Sequence, residues 1–304
     1  PQVYSTLAEQ HGKMACVVWQ TEWQDGPGVV EANQCNRVAL FRSMSACFAA
    51  LASWHWRAEK RVAGAQTVPP TSPETIARAR SLIAEASGQT LTEREAKAVL
   101  ALYGVPVVGE RLAHSVNDAV DAATALGYPV VLKVESPDLP HKTEAGVIRL
   151  NMRTADEVRE GYAAVMANAA KVAPPPRING VLVQPMVPQG IEMVVGARND
   201  PLFGPLIVVG LGGILVEVLK DTALSPAPVT PFEAEALLRQ LKGVKLLEGF
   251  RGMPAVDVKR LAQVISDVSR FAADHPGSVA ELDVNPLICA GNRITAVDAL
   301  IVVA

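Results

Sequence analysis

Three groups of residues have types and spacings that can do chemistry. Lys133 follows the apolar run Val130, Val131 and Leu132, which reads as a buried strand introduced by the turn signal Gly127 and Pro129 and ended by the lysine. A cation at the end of such a strand, ahead of a segment with Pro137, Pro140 and Gly146, suits a polyphosphate: a point charge on a rigid element beside a loop able to close. A lysine that merely snorkels from a sheet would show the same pattern. Within that segment His141 stands next to Lys142. A neutral imidazole is a good nucleophile toward phosphorus, and the adjacent ammonium would hold phosphate nearby while lowering the imidazole's proton affinity. The plainer alternative is a histidine that only hydrogen-bonds within the loop.

The third group is Glu281, Asp283 and Asn285, which fall on one face of an extended stretch because side chains alternate along a strand. Asp298, on the following strand, would complete an oxygen set of the kind Mg²⁺ takes: one or two carboxylates or amides, with phosphate oxygens and water. A half-buried hairpin with polar surface would look alike. Weaker signals lie between. The turn Gly210, Leu211, Gly212 and Gly213 is followed by a strand and not a helix, so it is not the dinucleotide fingerprint and, taken alone, reads as a hairpin. Glu217 alternates with Val216 and Val218 and so faces away from the buried side, toward a cleft. Arg251, within the glycine-flanked stretch 249–252, is either a phosphate contact or a solvated side chain.

The elements needed to position these groups are legible from periodicity and caps. A strand is expected over residues 13–19 and another over 37–41, then a helix capped by Ser43 with Met44, Cys47, Phe48 and Leu51 on its apolar face. Residues 63–73 are a linker by composition, and Pro73 opens a helix closed by Gly88. Thr92 with Glu95 is a capping-box spacing before a helix reaching Leu102; a short strand 105–108 and a helix 115–126 follow. Thr154 caps a helix, 181–186 and 191–196 are strands, 206–209 is a strand, 233–241 and 256–273 are helices, and 281–288 and 294–299 form a last pair of strands.

With 49% apolar and 19% charged residues in 304, the chain has the composition of a globular protein with room for two or three compact units. A net charge of −3 gives no general attraction to nucleic acid, so phosphate must be met by local cations and backbone N–H groups. The most apolar run, 205–219, carries three glycines and Glu217 and argues against a membrane helix. Cys16, Cys35, Cys47 and Cys289 show neither metal-ligand pairing nor a secreted framework, so buried, reduced thiols in a cytoplasmic protein are expected. His11, His55, His114 and His275 lack a supporting context and read as surface or packing residues. Pro1 in place of Met suggests a piece of a longer chain.

Several of these stretches, taken in order, resemble one family. Leu91-Thr92-Glu93 with Ala96-Lys97, Tyr103-Gly104-Val105-Pro106, Gly127-Tyr128-Pro129-Val130-Val131-Leu132-Lys133, Ser136-Pro137-Asp138 and His141-Lys142-Thr143-Glu144 look like the ATP-grasp module of the NDP-forming acyl-CoA synthetases, relatives of the succinyl-CoA synthetase β subunit. The resemblance covers residues 84–304. It implies an ATP-grasp fold, two α+β lobes (about 105–185 and 186–304) around a nucleotide cleft. Residues 1–62, which carry all four tryptophans (Trp19, Trp23, Trp54 and Trp56), resemble the end of a flavodoxin-like α/β CoA-ligase domain, with 63–83 as linker and helix.

What the resemblance implies for chemistry is specific. Val183, Gln184 and Met186 would line the adenine site at the hinge between lobes, and Glu192 would contact ribose. Lys133 would neutralise the α/β-phosphates, with Gly212, Gly213 and Glu217 also at the nucleotide. Asn285 and Asp298, with Asp283, would hold Mg²⁺. His141, assisted by Lys142, would relay a phosphoryl group between ATP and a ligase-domain histidine lying upstream. The expected reaction joins a carboxylic acid and CoA with conversion of ATP to ADP, through phosphohistidine and acyl phosphate. CoA would bind mainly to upstream CoA-binding and ligase domains in the same chain or a partner subunit, and a homo-oligomer is expected, with no nucleic acid and no membrane. The competing readings are an ATP-grasp carboxylate–amine ligase without phosphohistidine, and a nucleotide-sensing module without turnover.

Overall fold

The computed structural model describes residues 1–23, 25–62, 67–86, 88–139, 145–213, 221–249 and 254–304. The chain divides into two units, Pro1–Thr67 and Val68–Ala304. In the first, helix α1 (Gln2–Gln10) leads to strand β1 (Ala15–Val18), helix α2 (Val29–Gln34), strand β2 (Val38–Phe41) and helix α3 (Met44–Val62). The two strands pair in parallel, Ala15 opposite Val38 through Val18 opposite Phe41. Ser43 caps α3 by accepting from the Ala46 N–H at 3.2 Å. Of the helix's expected apolar face Cys47 is buried, but Met44 and Phe48 are exposed, as are Trp23, Trp54 and Trp56. Two further helices, α1 and α2, escaped the sequence reading because neither start has a side-chain cap. All four cysteines are free; Cys47 and Cys289 are buried, whereas Cys16 is exposed and corrects the expectation of buried thiols.

The second unit holds two hydrophobic cores, each under its own sheet. The smaller is built entirely from residues between Ala113 and Val183. Strands β3 (Arg111–Ala113), β4 (Val130–Glu135), β5 (Ile148–Met152) and β6 (Gly180–Pro185) form an antiparallel sheet in the order β3-β6-β4-β5. Helices α6 (Val116–Leu126) and α7 (Ala155–Ala169) cover one face, each started by a hydroxyl cap, Ser115 and Thr154. Gly161 lets α7 sit close: a Cβ there would lie 3.0 Å from Leu132 Cδ1 and 3.0 Å from Met152 Sδ.

The larger core draws on both sides of this insert. Helices α4 (Pro73–Ala84) and α5 (Glu93–Leu102) precede it, and everything from Ile191 onward follows. A sheet ordered β11-β10-β7-β8-β9 comprises β7 (Ile191–Asp200), β8 (Gly204–Leu211), β9 (Thr222–Pro226), β10 (Val279–Ala290) and β11 (Arg293–Ala296), with β12 (Ala299–Val303) also on β10. Helices α8 (Pro231–Leu238) and α9 (Val258–Asp274) pack against it, with a 3₁₀ turn, Val244–Glu248, between them. The Thr92/Glu95 box forms in full: the Glu95 N–H donates to Thr92 Oγ1 at 3.4 Å and the Thr92 N–H to Glu95 Oε2 at 2.8 Å.

The expected strand 105–108 is only a bridge. Val107 pairs with Ala296, and Pro106, lacking an N–H, contributes its carbonyl to the Ala296 N–H at 2.8 Å. The expected strand 294–299 is two strands, β11 and β12, broken at Val297 and Asp298. No helix among the described residues is long and apolar enough to cross a membrane.

Candidate active site

Strand alternation decides what Lys133 faces. Val130, Leu132 and Val134 point into the small core, so Val131, Lys133 and Glu135 point to the opposite face, where the first turn of α5 arrives. The lysine does not end its strand, as the sequence suggested: β4 runs on to Glu135, and every residue in it is buried. Its Nζ donates to Glu93 Oε1 at 2.8 Å and to Asp298 Oδ2 at 3.5 Å. Two residues further along the same face, Glu135 receives both Nε and an Nη of Arg94, at 3.0 and 3.1 Å. A snorkelling lysine would carry its ammonium to water; this one is only 5% exposed.

Glu93 is the centre of a buried cluster that the sequence did not reveal. Its Oε1 also accepts from Lys97 Nζ at 2.8 Å and from Gln184 Nε2 at 2.7 Å. Lys97, one turn further along α5, reaches Glu110 at 2.5 Å and the Val297 carbonyl at 3.3 Å, and Gln184 reaches Glu110 at 2.6 Å. The i, i+4 spacing of Glu93 and Lys97 and their place in the first of the resembling stretches are the signals the sequence holds. Burial by itself disfavours the Lys133 ammonium, but the carboxylates of Asp298 and Glu93 outweigh it and hold its pKa above the ordinary lysine value.

On the large sheet, two irregularities face one another. The register of β10 against β7 shifts between Val284 and Leu287, so Asn285 and Pro286 form a bulge of the kind that re-aims a side chain. Opposite lies the break between β11 and β12, tied to the bulge by the Asn285 N–H to the Asp298 carbonyl at 3.2 Å and the Val297 N–H to the Pro286 carbonyl at 3.0 Å. Asp283, Asn285 and Asp298 consequently line one cavity of about 240 Å³, together with Thr92, Glu93 and Ser136. Burial pushes the Asp283 carboxyl up; a hydrogen bond from Asn285 opposes this, while Glu281 and Asp298 add to it.

The donor set fits a hard divalent cation. Among the described residues no cluster of three or more His, Cys, Asp or Glu side chains is placed to hold a metal. Two carboxylates and an amide around one cavity instead match Mg²⁺, which keeps waters and takes phosphate oxygens.

The remaining candidates fall into separate places. Glu192 on β7 lies against the glycine turn: its carbonyl accepts from the Gly212 N–H at 2.7 Å, and a Cβ on Gly213, whose φ is +62°, would be 2.8 Å from Glu192 Oε2. Met186 donates its N–H to the Pro129 carbonyl at 2.9 Å just beyond β6. Val183 does not reach the cleft. Alternation on β6 turns its side chain into the small core, opposite in sense to Gln184, and its backbone is paired on both sides, with Leu132 and Arg111. His141, Lys142, Glu217 and Arg251 lie outside the described residues.

Two lobes with a buried lysine on the smaller sheet and oxygen donors on the larger define a nucleotide-binding class, and comparison with known proteins gives the same class. Residues 82–303 match the family model described as ATP-grasp domain. The chain is 39% identical over 228 residues to the β subunit of acetate–CoA ligase [ADP-forming] I of Pyrococcus furiosus, covering 74% of this chain and 98% of that one. It is 41% identical over 201 residues to acetate–CoA ligase [ADP-forming] I of Archaeoglobus fulgidus, covering 66% of this chain but only 29% of that longer protein. Solved structures of an acetyl-coenzyme A synthetase from Ca. Korarchaeum cryptofilum superpose with TM-scores of 0.71 (36% identity, 77% of this chain and 100% of that chain) and 0.66 (35% identity, 74% and 100%). The latter is a complex with coenzyme A and Mg-AMPPCP whose phosphohistidine segment points towards the nucleotide binding site.

The chain therefore belongs to the ATP-grasp family, within the branch of the ADP-forming acyl-CoA synthetases.

Proposed function

We propose that this chain is the nucleotide-binding half of an ADP-forming carboxylate–CoA ligase. The observation that carries the reading is the meeting of Lys133, from the small sheet, with Asp298, on the rim of the cavity that Asp283 and Asn285 share. That juxtaposition suits the phosphates of ATP. Lys133 would neutralise the α/β-phosphates from its fixed place on β4, while Asn285, Asp298 and Asp283 would hold Mg²⁺. The ion, when bound, would supply charge compensation to the phosphates. Gln184 and Met186 would lie toward the adenine, and Glu192 with Gly212 and Gly213 toward the ribose and phosphates. Positioning and electrostatic clamping carry most of a phosphoryl transfer, and these side chains are suited to both.

In this reading the γ-phosphoryl group passes from ATP to a histidine nitrogen, releasing ADP, and from histidine to the carboxylate, giving an acyl phosphate. The CoA thiolate then displaces phosphate to form the thioester. His141, with Lys142 beside it, is the candidate relay on this chain, and the CoA-binding and ligase domains would come from the same longer chain or a partner subunit. The test supplies those domains, ATP, Mg²⁺, CoA and a panel of carboxylic acids, and follows ADP and acyl-CoA together. Acid- and CoA-dependent ADP release that falls about 100-fold or more in Lys133→Met supports the proposal. Release that depends on an amine instead of CoA would point to an amide ligase, and tight ATP binding with no turnover to a sensor.

A further inference from the structure

The β4–β6 ladder ends at Glu135 opposite Gly180, yet the two chains stay joined beyond it. The Asn179 N–H donates to the Glu135 carbonyl at 2.9 Å. Further out, the Asp138 side chain takes the place of a backbone rung: its Oδ2 accepts the Arg177 N–H at 2.7 Å and Arg177 Nε at 3.1 Å, while its Oδ1 accepts an Nη at 2.9 Å. Three hydrogen bonds from one residue fix both the place and the orientation of that carboxylate. The neighbours of Asp138 face the other way. Ser136, Pro137 and Leu139 line the cavity that Asp283, Asn285 and Asp298 line from the large lobe, whereas neither Asp138 nor Arg177 lines it. Leu139 is anchored in the small core, and the Ser136 hydroxyl accepts the Asp138 N–H at 3.1 Å. Residues 136–139 are thus held inward by Leu139 and outward by the clamp on Asp138.

We infer that Arg177 is a positioning residue for the nucleotide: through Asp138 it holds residues 136–139 as the small-lobe wall of the cavity, and so sets where the Ser136 hydroxyl meets the nucleotide's phosphates. The inference rests on the reading of this cavity as the place of the nucleotide's phosphates and Mg²⁺. Both partners of the clamp are exposed, and an exposed ion pair adds little to folding. Its effect is therefore on geometry, and a small displacement of a binding wall costs affinity or rate out of proportion to the stability lost. Arg177→Gln removes the fork and leaves the backbone N–H on Asp138; Asp138→Ala removes all three hydrogen bonds.

The experiment titrates ADP with Mg²⁺ into the full chain by calorimetry, comparing wild type, Arg177→Gln, Asp138→Ala and the double variant, and reads the melting temperature of each ligand-free protein alongside. The expected result is a loss of about threefold or more in ADP affinity for each single variant, with the double variant within about twofold of Asp138→Ala. Melting temperatures are expected to stay within about 4 °C of wild type. A smaller loss in either single variant overturns the inference, as do losses that multiply in the double variant or a fall in melting temperature beyond that range. Tighter binding in Asp138→Ala also overturns it, because Arg177 would then be acting as a free cation toward phosphate. Arg177→Lys keeps the charge and gives up the fork: a loss of about threefold or more supports the inference, and a smaller one overturns it. Wild-type protein that binds no ADP with Mg²⁺ overturns the cleft reading and this inference together, whereas normal wild-type binding with indifferent variants overturns this inference alone.

Discussion

Lys97 and His275 are both buried, and each has a measurable consequence at the scale of single residues. Lys97 is 1% exposed and holds Glu93 and Glu110 against each other. Lys97→Met is expected to lower stability by roughly 1–3 kcal/mol in urea unfolding, because it removes the ammonium that Glu93 and Glu110 share while Lys133 and Gln184 still bond Glu93. His275 lies in the large lobe with Nε2 2.9 Å from the Tyr103 hydroxyl and its ring against Phe271. Burial lowers its pKa from 6.5; Arg80 acts in the same direction and Asp274 against it. The native state therefore binds this proton less readily than the unfolded chain. Its contribution to stability is complete above about pH 6.5 and is lost as pH falls from there toward the lowered native value. Urea midpoints measured between pH 8 and pH 5 should fall more steeply for wild type than for His275→Gln. Equal slopes would show that this imidazole is not the group responsible.

Elements bring these residues into place, and here the sequence was readable in proportion to how local the cause was. The box at Thr92 and Glu95 needs only three residues of spacing and was recognised as such. The Lys133 to Glu93 contact spans 40 residues and depends on which face of β4 meets α5, so no local pattern contains it. Asp283 and Asn285 followed from alternation, yet the bulge at Asn285 and the break before Asp298 did not, because each is set by pairing with another strand. Val183, expected at the adenine site from the resemblance, turns its side chain into the small core instead, because alternation on β6 sets it opposite in sense to Gln184. The β7–β10 junction gives a test of this geometry. A Cβ on Gly190 would lie 2.5 Å from the Cys289 carbonyl oxygen. Gly190→Ala is expected to cost about 1–3 kcal/mol by overpacking. It should also weaken nucleotide-dependent metal binding, since the displaced strand is the one that carries Asp283 and Asn285. Calorimetric melting and Mn²⁺ titration read the two effects separately.

At the scale of the whole molecule, the unit from Val68 to Ala304 offers its ligands a surface that exists only when both of its lobes are folded. Mg²⁺ with ADP at about 100 times its dissociation constant should therefore stabilise the protein by about 2.7 kcal/mol, read as a rise in melting temperature that disappears when the metal is chelated. The general ATP-grasp plan was legible from ordered motifs alone, while the sharing of the large core between segments on either side of the small one was not. That sharing has a consequence in time. Residues 89–91 bond to β12, and Lys97 reaches Val297, 200 residues further along the chain. A chain emerging from the ribosome can close the small lobe from its own residues, but α4 and α5 must wait, apolar faces uncovered, until the strands from β7 to β12 have been made. The cleft thus forms only once β12 has been made, and interruption between β6 and β12 leaves a small lobe without a site.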